Sequence, residues 1–214
     1  MRHRRRGSPY GSALMPRPRK ASGQGGPDAS NSGTPGRVIW ITRLEPRRRR
    51  TLVERTYLEM TSPEGLRPAD VPVEGLRIEH ATTCTPSFYR YLYAEVGRDY
   101  RWTDRLAWTD HQIRDHLASP GVAVHVAYVG GTPAGYFELA RHADGSCELS
   151  YFGLLPEFQG RGLGKLLLTR AAEEAWKARP TRVWLHTCTL DGPAALPNYL
   201  ARGFVPYRTE TYQG

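Results

Sequence analysis

Cysteine is scarce in this chain: three in 214 residues, Cys84, Cys147 and Cys188, with no C-x-x-C pair among them. That usage argues against a disulfide framework and a zinc ribbon and fits a reducing compartment, so the cytoplasm is the expected location. No apolar run approaches the ~20 residues that cross a bilayer, and the N-terminal arginines are followed by no apolar segment, so neither a membrane span nor a secretory leader is expected. His111 and His116 stand five apart, whereas two zinc ligands on one helix face need a spacing of about four. There is no G-x-S-x-G either. Metal and serine-hydrolase chemistry are disfavoured, and no metal is expected.

Excess positive charge is missing from most of the chain. The formal net charge is +9, but residues 1–50 hold 13 Lys+Arg against 2 acids, which leaves 17 against 19 for residues 51–214. The head carries +11 and the body −2. A nucleic-acid argument therefore applies to the head alone, where Arg4–Arg6 and Arg47–Arg50 could act by counterion release. A membrane partner is not expected, and a homodimer is left open.

The length suits one domain plus a tail. Residues 1–36 are rich in Arg, Gly, Ser and Pro and too poor in apolar residues to offset the entropy of ordering, so a disordered tail is expected there. Residues 37–74 read as a basic linker with an extra N-terminal strand, "RTLVERTYLEM", and residues 75–214 as the folded domain. Within that domain "GLRIEHATT" is a strand. "TPSFYRYLYAEVG" is a helix capped by Thr85, with Pro86 at its first position and Gly97 at its close, and "TDHQIRDHLAS" is a second helix. Period-two patterning then marks a meander, "VAVHVAYVG", "TPAGYFELARH" and "CELSYFGLL". A long helix to about Arg179, the strand "RVWLHTCTL", the short helix "PAALPNYLAR" and a last strand, "GFVPYRTETYQ", complete the order β-β-α-α-β-β-β-α-β-α-β.

Between the meander and the long helix lies "QGRGLGK", Gln159–Lys165. A glycine-rich turn opening a helix suits phosphate, because bare backbone N–H groups and the helix dipole converge there. Two better-known phosphate loops do not fit. The dinucleotide fingerprint G-x-G-x-x-G would start at Gly160 and Gly162 but meets Lys165 at its third glycine. The triphosphate loop G-x-x-x-x-G-K-[ST] meets Leu166 after Lys165 and Gln159 at its first glycine.

What remains is Q-x-x-G-x-G, with Gln159, Gly162 and Gly164, after a strand and a proline and before an amphipathic helix. Here the chain resembles the GNAT superfamily of acetyl-CoA-dependent N-acetyltransferases, whose central motif is [RQ]-x-x-G-x-[GA]. The resemblance runs from about Leu76 to Phe204 and includes "Y-x-x-x-G-F" at Tyr199, Gly203 and Phe204. It implies an α+β fold, a mixed and mainly antiparallel central sheet with helices on both faces.

It also implies acetyl-CoA as acyl donor, held by Gln159, Gly160, Arg161, Gly162, Leu163, Gly164 and Lys165. A backbone N–H at Leu154 or Leu155, where the family's strand bulges and splays, would hold the oxyanion. Tyr199 stands where the family often has its general acid. The family's frequent asparagine seven residues earlier is absent, because position 192 is glycine.

An aliphatic amine, with a pKa of ~10.4, must lose a proton before it attacks a thioester. Glu148, eleven residues before Gln159, matches the glutamate base of histone-acetylating members and is the first candidate. His186 is the second and Glu138 the third. Cys147 and Cys188 leave a covalent route open, but direct transfer in a ternary complex is favoured. Seven aromatics lie between Phe88 and Trp108; Tyr93, Tyr100 and Trp102 are expected to line a cleft for the acceptor, a small-molecule or peptide amine. Two other functions compete: an acetyl-CoA sensor without turnover, and a nucleic-acid-associated protein tethered by its Arg-rich head.

Overall fold

In the computed structural model, residues 52–69 and 72–213 are described; the tail expected over residues 1–36 and the arginine run at 47–50 lie outside them. The element order is that expected: β1 (Leu52–Met60), β2 (Leu76–His80), α1 (Pro86–Gly97), α2 (Asp110–Leu117), β3 (Val122–Val129), β4 (Thr132–Arg141), β5 (Cys147–Leu154), α3 (Leu163–Trp176), β6 (Val183–Cys188), α4 (Ala195–Ala201) and β7 (Val205–Gln213). No helix among the described residues is long and apolar enough to cross a membrane.

Local chemistry sets the helix ends. Thr85 caps α1 by accepting from the Phe88 N–H, with Pro86 in the first turn, and Thr109 opens α2 in a reciprocal capping box with Gln112. Gly97 closes α1 for a reason the sequence did not suggest. It lies within the helix rather than in a left-handed cap, and a Cβ there would run into the Trp102 ring. The glycine makes room for the tryptophan.

The seven strands form one sheet in the order β2-β3-β4-β5-β6-β1-β7. All neighbours are antiparallel except β5 and β6. Placing residues 37–74 outside the folded domain misjudges β1, which lies inside the sheet between β6 and β7, with Val53, Leu58 and Met60 buried. One face carries α3, whose Leu167, Leu168, Ala171, Ala172 and Ala175 meet Leu58, Phe137, Leu149 and Leu185. On the other face Tyr89, Leu92 and Val96 of α1 and Ile113 of α2 cover Val124, Val126 and Tyr136.

Candidate active site

Strands β5 and β6 pair at only two positions, Cys147 with Val183 and Glu148 with Trp184, and then part. At the parting β5 bulges: Leu149 faces Leu139 and Tyr151 faces Glu138, so Ser150 has no partner on β4. The ladder phase beyond the bulge follows from one bond, the Leu155 N–H to the Ala134 carbonyl at 2.9 Å. Bonded and non-bonded pairs alternate in an antiparallel ladder. Tyr136–Gly153 is therefore a bonded pair, and Gly135–Leu154 and Phe137–Phe152 are not. The N–H and C=O of Phe152 and Leu154 consequently point away from β4, into the gap that β6 has left. Leu155, expected as an oxyanion donor, is excluded because its N–H is engaged. Phe152, which nothing in the sequence singled out, is brought in beside Leu154.

The β5–α3 turn stands at the end of this gap. Gly160 and Gly162 have φ of 72° and 80°, a left-handed backbone that side-chain-bearing residues adopt only with strain. No backbone partner within the chain takes the N–H groups of Gly160, Arg161, Gly162, Leu163 or Gly164, among the described residues; the Lys165 N–H closes on the Gly162 carbonyl. Five consecutive free amides at a helix N-terminus fit a pyrophosphate. Arg161 lies over the Phe158 ring, 5.8 Å from its centroid, and Lys165 is left with its side chain alone to offer. Gln159 turns its amide inward, donating to the Leu154 carbonyl at 3.3 Å and to the Tyr100 hydroxyl at 3.1 Å. Asn198 of α4 donates to the Gly164 carbonyl at 3.1 Å, which ties the two helices together beside the gap.

The titratable candidates divide between the two faces. Cys147, Leu149, Phe152 and Leu154 join the core beneath α3, so Glu148 projects from the face that carries α1 and α2. Its carboxylate meets His142 Nε2 at 3.1 Å and His186 Nδ1 at 3.8 Å. Burial first, and the Arg55 charge second, hold the His186 imidazole below its ordinary pKa, and it is neutral at pH 7. Tyr57 packs 5.7 Å from the His186 ring and donates its hydroxyl to Glu210. Tyr199 lies on the α3 face, 7% exposed, with its ring 6.0 Å from Phe152 and 6.3 Å from Phe204. Burial pushes its hydroxyl pKa well up.

A sequence model of the acetyltransferase (GNAT) family matches residues 87–204, more than half of the chain. The chain belongs to this family. Its fold is similar to that of a GCN5-related N-acetyltransferase from Kribbella flavida, with a TM-score of 0.56 at 21% identity, over 75% of this chain and 57% of that one. A GCN5-related N-acetyltransferase from Sphaerobacter thermophilus gives 0.52 at 16% identity, over 77% and 52%. An aminoglycoside acetyltransferase from an uncultured soil metagenomic sample, solved in complex with sisomicin, gives 0.51 at 16% identity, over 60% and 88%. This chain thus spans little more than half the length of the first two proteins, and at such identities the likeness shows the fold. Among curated proteins none matches.

In this GNAT chain the expected acceptor aromatics do two different things. Tyr93, 1% exposed, packs edge-on to Tyr151 within the wall, so its ring is closed to an acceptor in this conformation. Trp102 packs on Tyr93 and Tyr151. Tyr100 alone reaches the gap, where it meets Gln159 from one side, and a Cβ at Gly192 would sit 3.3 Å from its Cε1 and hydroxyl oxygen on the other.

Glu138, third in line as a base, is fully buried. It accepts from Tyr89 at 2.7 Å, Arg105 at 3.0 Å and His116 at 3.0 Å. Burial alone would raise its pKa, but the His116 hydrogen bond and the Arg105 charge outweigh it and keep the carboxylate ionised. With its acceptor sites filled by three donors, Glu138 serves the wall.

Proposed function

We propose that the protein moves the acetyl group of acetyl-CoA to the amine of a small molecule or peptide by direct attack in a ternary complex. The observation that carries this reading is the β5–β6 gap, edged by the free N–H groups of Phe152 and Leu154, with Glu148 on one face of the sheet and Tyr199 on the other. Acetyl-CoA would lie with its pyrophosphate at the amides of Gly160–Gly164 and supplies the activated acyl group. The amine would enter from the Glu148 side and lose its proton to that carboxylate or, through it, to the neutral His186. A gap-facing N–H would stabilise the oxyanion. Tyr199 would protonate the departing thiolate.

A covalent relay is less well served. Burial pushes the Cys147 thiol up to about 11, so at neutral pH it carries almost no thiolate. The test is thiol release from acetyl-CoA across a panel of amines, amino acids and peptides. One acceptor class should give saturable turnover, and E148Q should lower its kcat by roughly 100-fold and flatten the acid limb of the pH–rate profile. An unchanged profile in E148Q removes Glu148 as base, and silence across the panel with intact acetyl-CoA binding favours a sensor.

A further inference from the structure

We infer that Tyr100 is a positioning residue that links occupancy of the acetyl-CoA channel to the loop walling the acceptor side; the inference rests on the acetyl-CoA reading above. The Tyr100 ring spans the mouth of the gap, from Gln159 in the β5–α3 turn to Gly192 after β6. Its hydroxyl accepts from the same Gln159 amide nitrogen that donates to the Leu154 carbonyl. That carbonyl is one of the polar groups β5 turns toward the gap, so the Gln159 side chain fills a position that an amide of the pantetheine arm would need in order to pair with the strand edge. A ligand running along β5 displaces the Gln159 side chain, and Tyr100 loses its donor with it.

The loop is built to respond at this end and hold at the other. Its far end is pinned by Arg105, which bonds the fully buried Glu138 at 3.0 Å and lies over the Trp108 and Tyr151 rings. Its near end is held by the Tyr100 and Trp102 N–H groups on the Gly97 carbonyl. Between them Arg101 has a φ of 56°, a left-handed conformation disfavoured for a residue with a side chain. Releasing Tyr100 lets Arg101 relax and turns the tyrosine toward the acceptor side. The glycine at 192, where the family often carries asparagine, is what admits the ring: any larger residue would press on it.

Isothermal titration of the full-length protein with acetyl-CoA tests this in wild type, Y100F and G192A. Both variants weaken the latch by independent routes, one by deleting the acceptor of the hydrogen bond and the other by crowding the ring. Each should bind acetyl-CoA about fivefold more tightly, the equivalent of one neutral hydrogen bond no longer broken on binding. Amide exchange supplies a second readout. Acetyl-CoA should speed exchange over residues 98–104 in wild type, while Y100F should exchange fast there with or without it. Unchanged or weaker binding in both variants overturns the latch and leaves the acyl donor intact. Failure of the wild-type protein to bind acetyl-CoA overturns both readings.

Discussion

A tyrosine hydroxyl can give a proton to a departing thiolate only if it still holds that proton at working pH. Burial of Tyr199 raises its hydroxyl pKa above the usual ~10, which satisfies that condition. Y199F should therefore lower kcat by about 100-fold while acetyl-CoA affinity and melting temperature stay close to wild type, because the ring that packs on Phe152 and Phe204 is retained. A kcat within about threefold of wild type takes Tyr199 out of the chemistry. Glu148, Gln159 and Tyr199 were singled out in the sequence, Glu148 by its spacing of eleven residues from Gln159, Gln159 by its place in the glycine motif and Tyr199 by its place in Y-x-x-x-G-F. The choice among Phe152, Leu154 and Leu155 was not, since which N–H faces the gap depends on the pairing phase with β4, and no single strand encodes its partner's register. His142 and Tyr57, the neighbours of Glu148 and His186, come from a turn and from a strand distant in sequence, and nothing local marked them.

At the scale of elements, the loop between α1 and α2 depends on a buried ion pair. Arg105 and Glu138 are far apart in sequence, so the pairing was invisible there, and Glu138 was singled out only as the third candidate base. Removing one partner of such a pair leaves the other charged and buried, which costs about 3–5 kcal/mol. E138Q should lower the unfolding free energy from urea titration by that amount and lower the melting temperature by about 10 °C, at roughly 2–4 °C per kcal/mol. The pH dependence has a definite sign. The Glu138 pKa is depressed on folding, so its contribution is fully present above the unfolded value of ~4.3 and is lost as pH falls through the folded one. Wild type should lose stability as pH falls below about 5, and E138Q should lose less as pH falls. Parallel urea-midpoint curves for the two proteins would show that Glu138 is not ionised in the fold. Restoring an uncharged pair with E138Q/R105M should recover part of the loss.

At the largest scale, the order of elements among the described residues is the one expected, while the order of strands in the sheet had no reading in the sequence. Period-two alternation marks a strand, but β1, β2 and β7 alternate alike, and pairing is decided by which apolar faces meet beneath α3. That is why a segment that reads as a linker and extra strand is interior to the sheet. Its three buried side chains, Val53, Leu58 and Met60, contribute roughly 5–9 kcal/mol at about 1.5–3 kcal/mol each. The backbone bonds that join β6 to β7 through β1 come in addition. A domain's net stability is about 5–15 kcal/mol, so loss of this strand removes most or all of it. A chain starting at residue 50 should melt cooperatively and bind acetyl-CoA as the full chain does, with the Arg-rich head and any steeply salt-dependent nucleic-acid binding removed. A chain starting at residue 62 retains the whole family-matched region, residues 87–204, yet should show no cooperative melt by circular dichroism and no acetyl-CoA binding. Adding the peptide of residues 50–61 in trans should restore both, because it would refill the slot that β1 occupies between β6 and β7. A cooperative melt of the shorter chain alone would mean that β6 and β7 can pair directly and that β1 is dispensable.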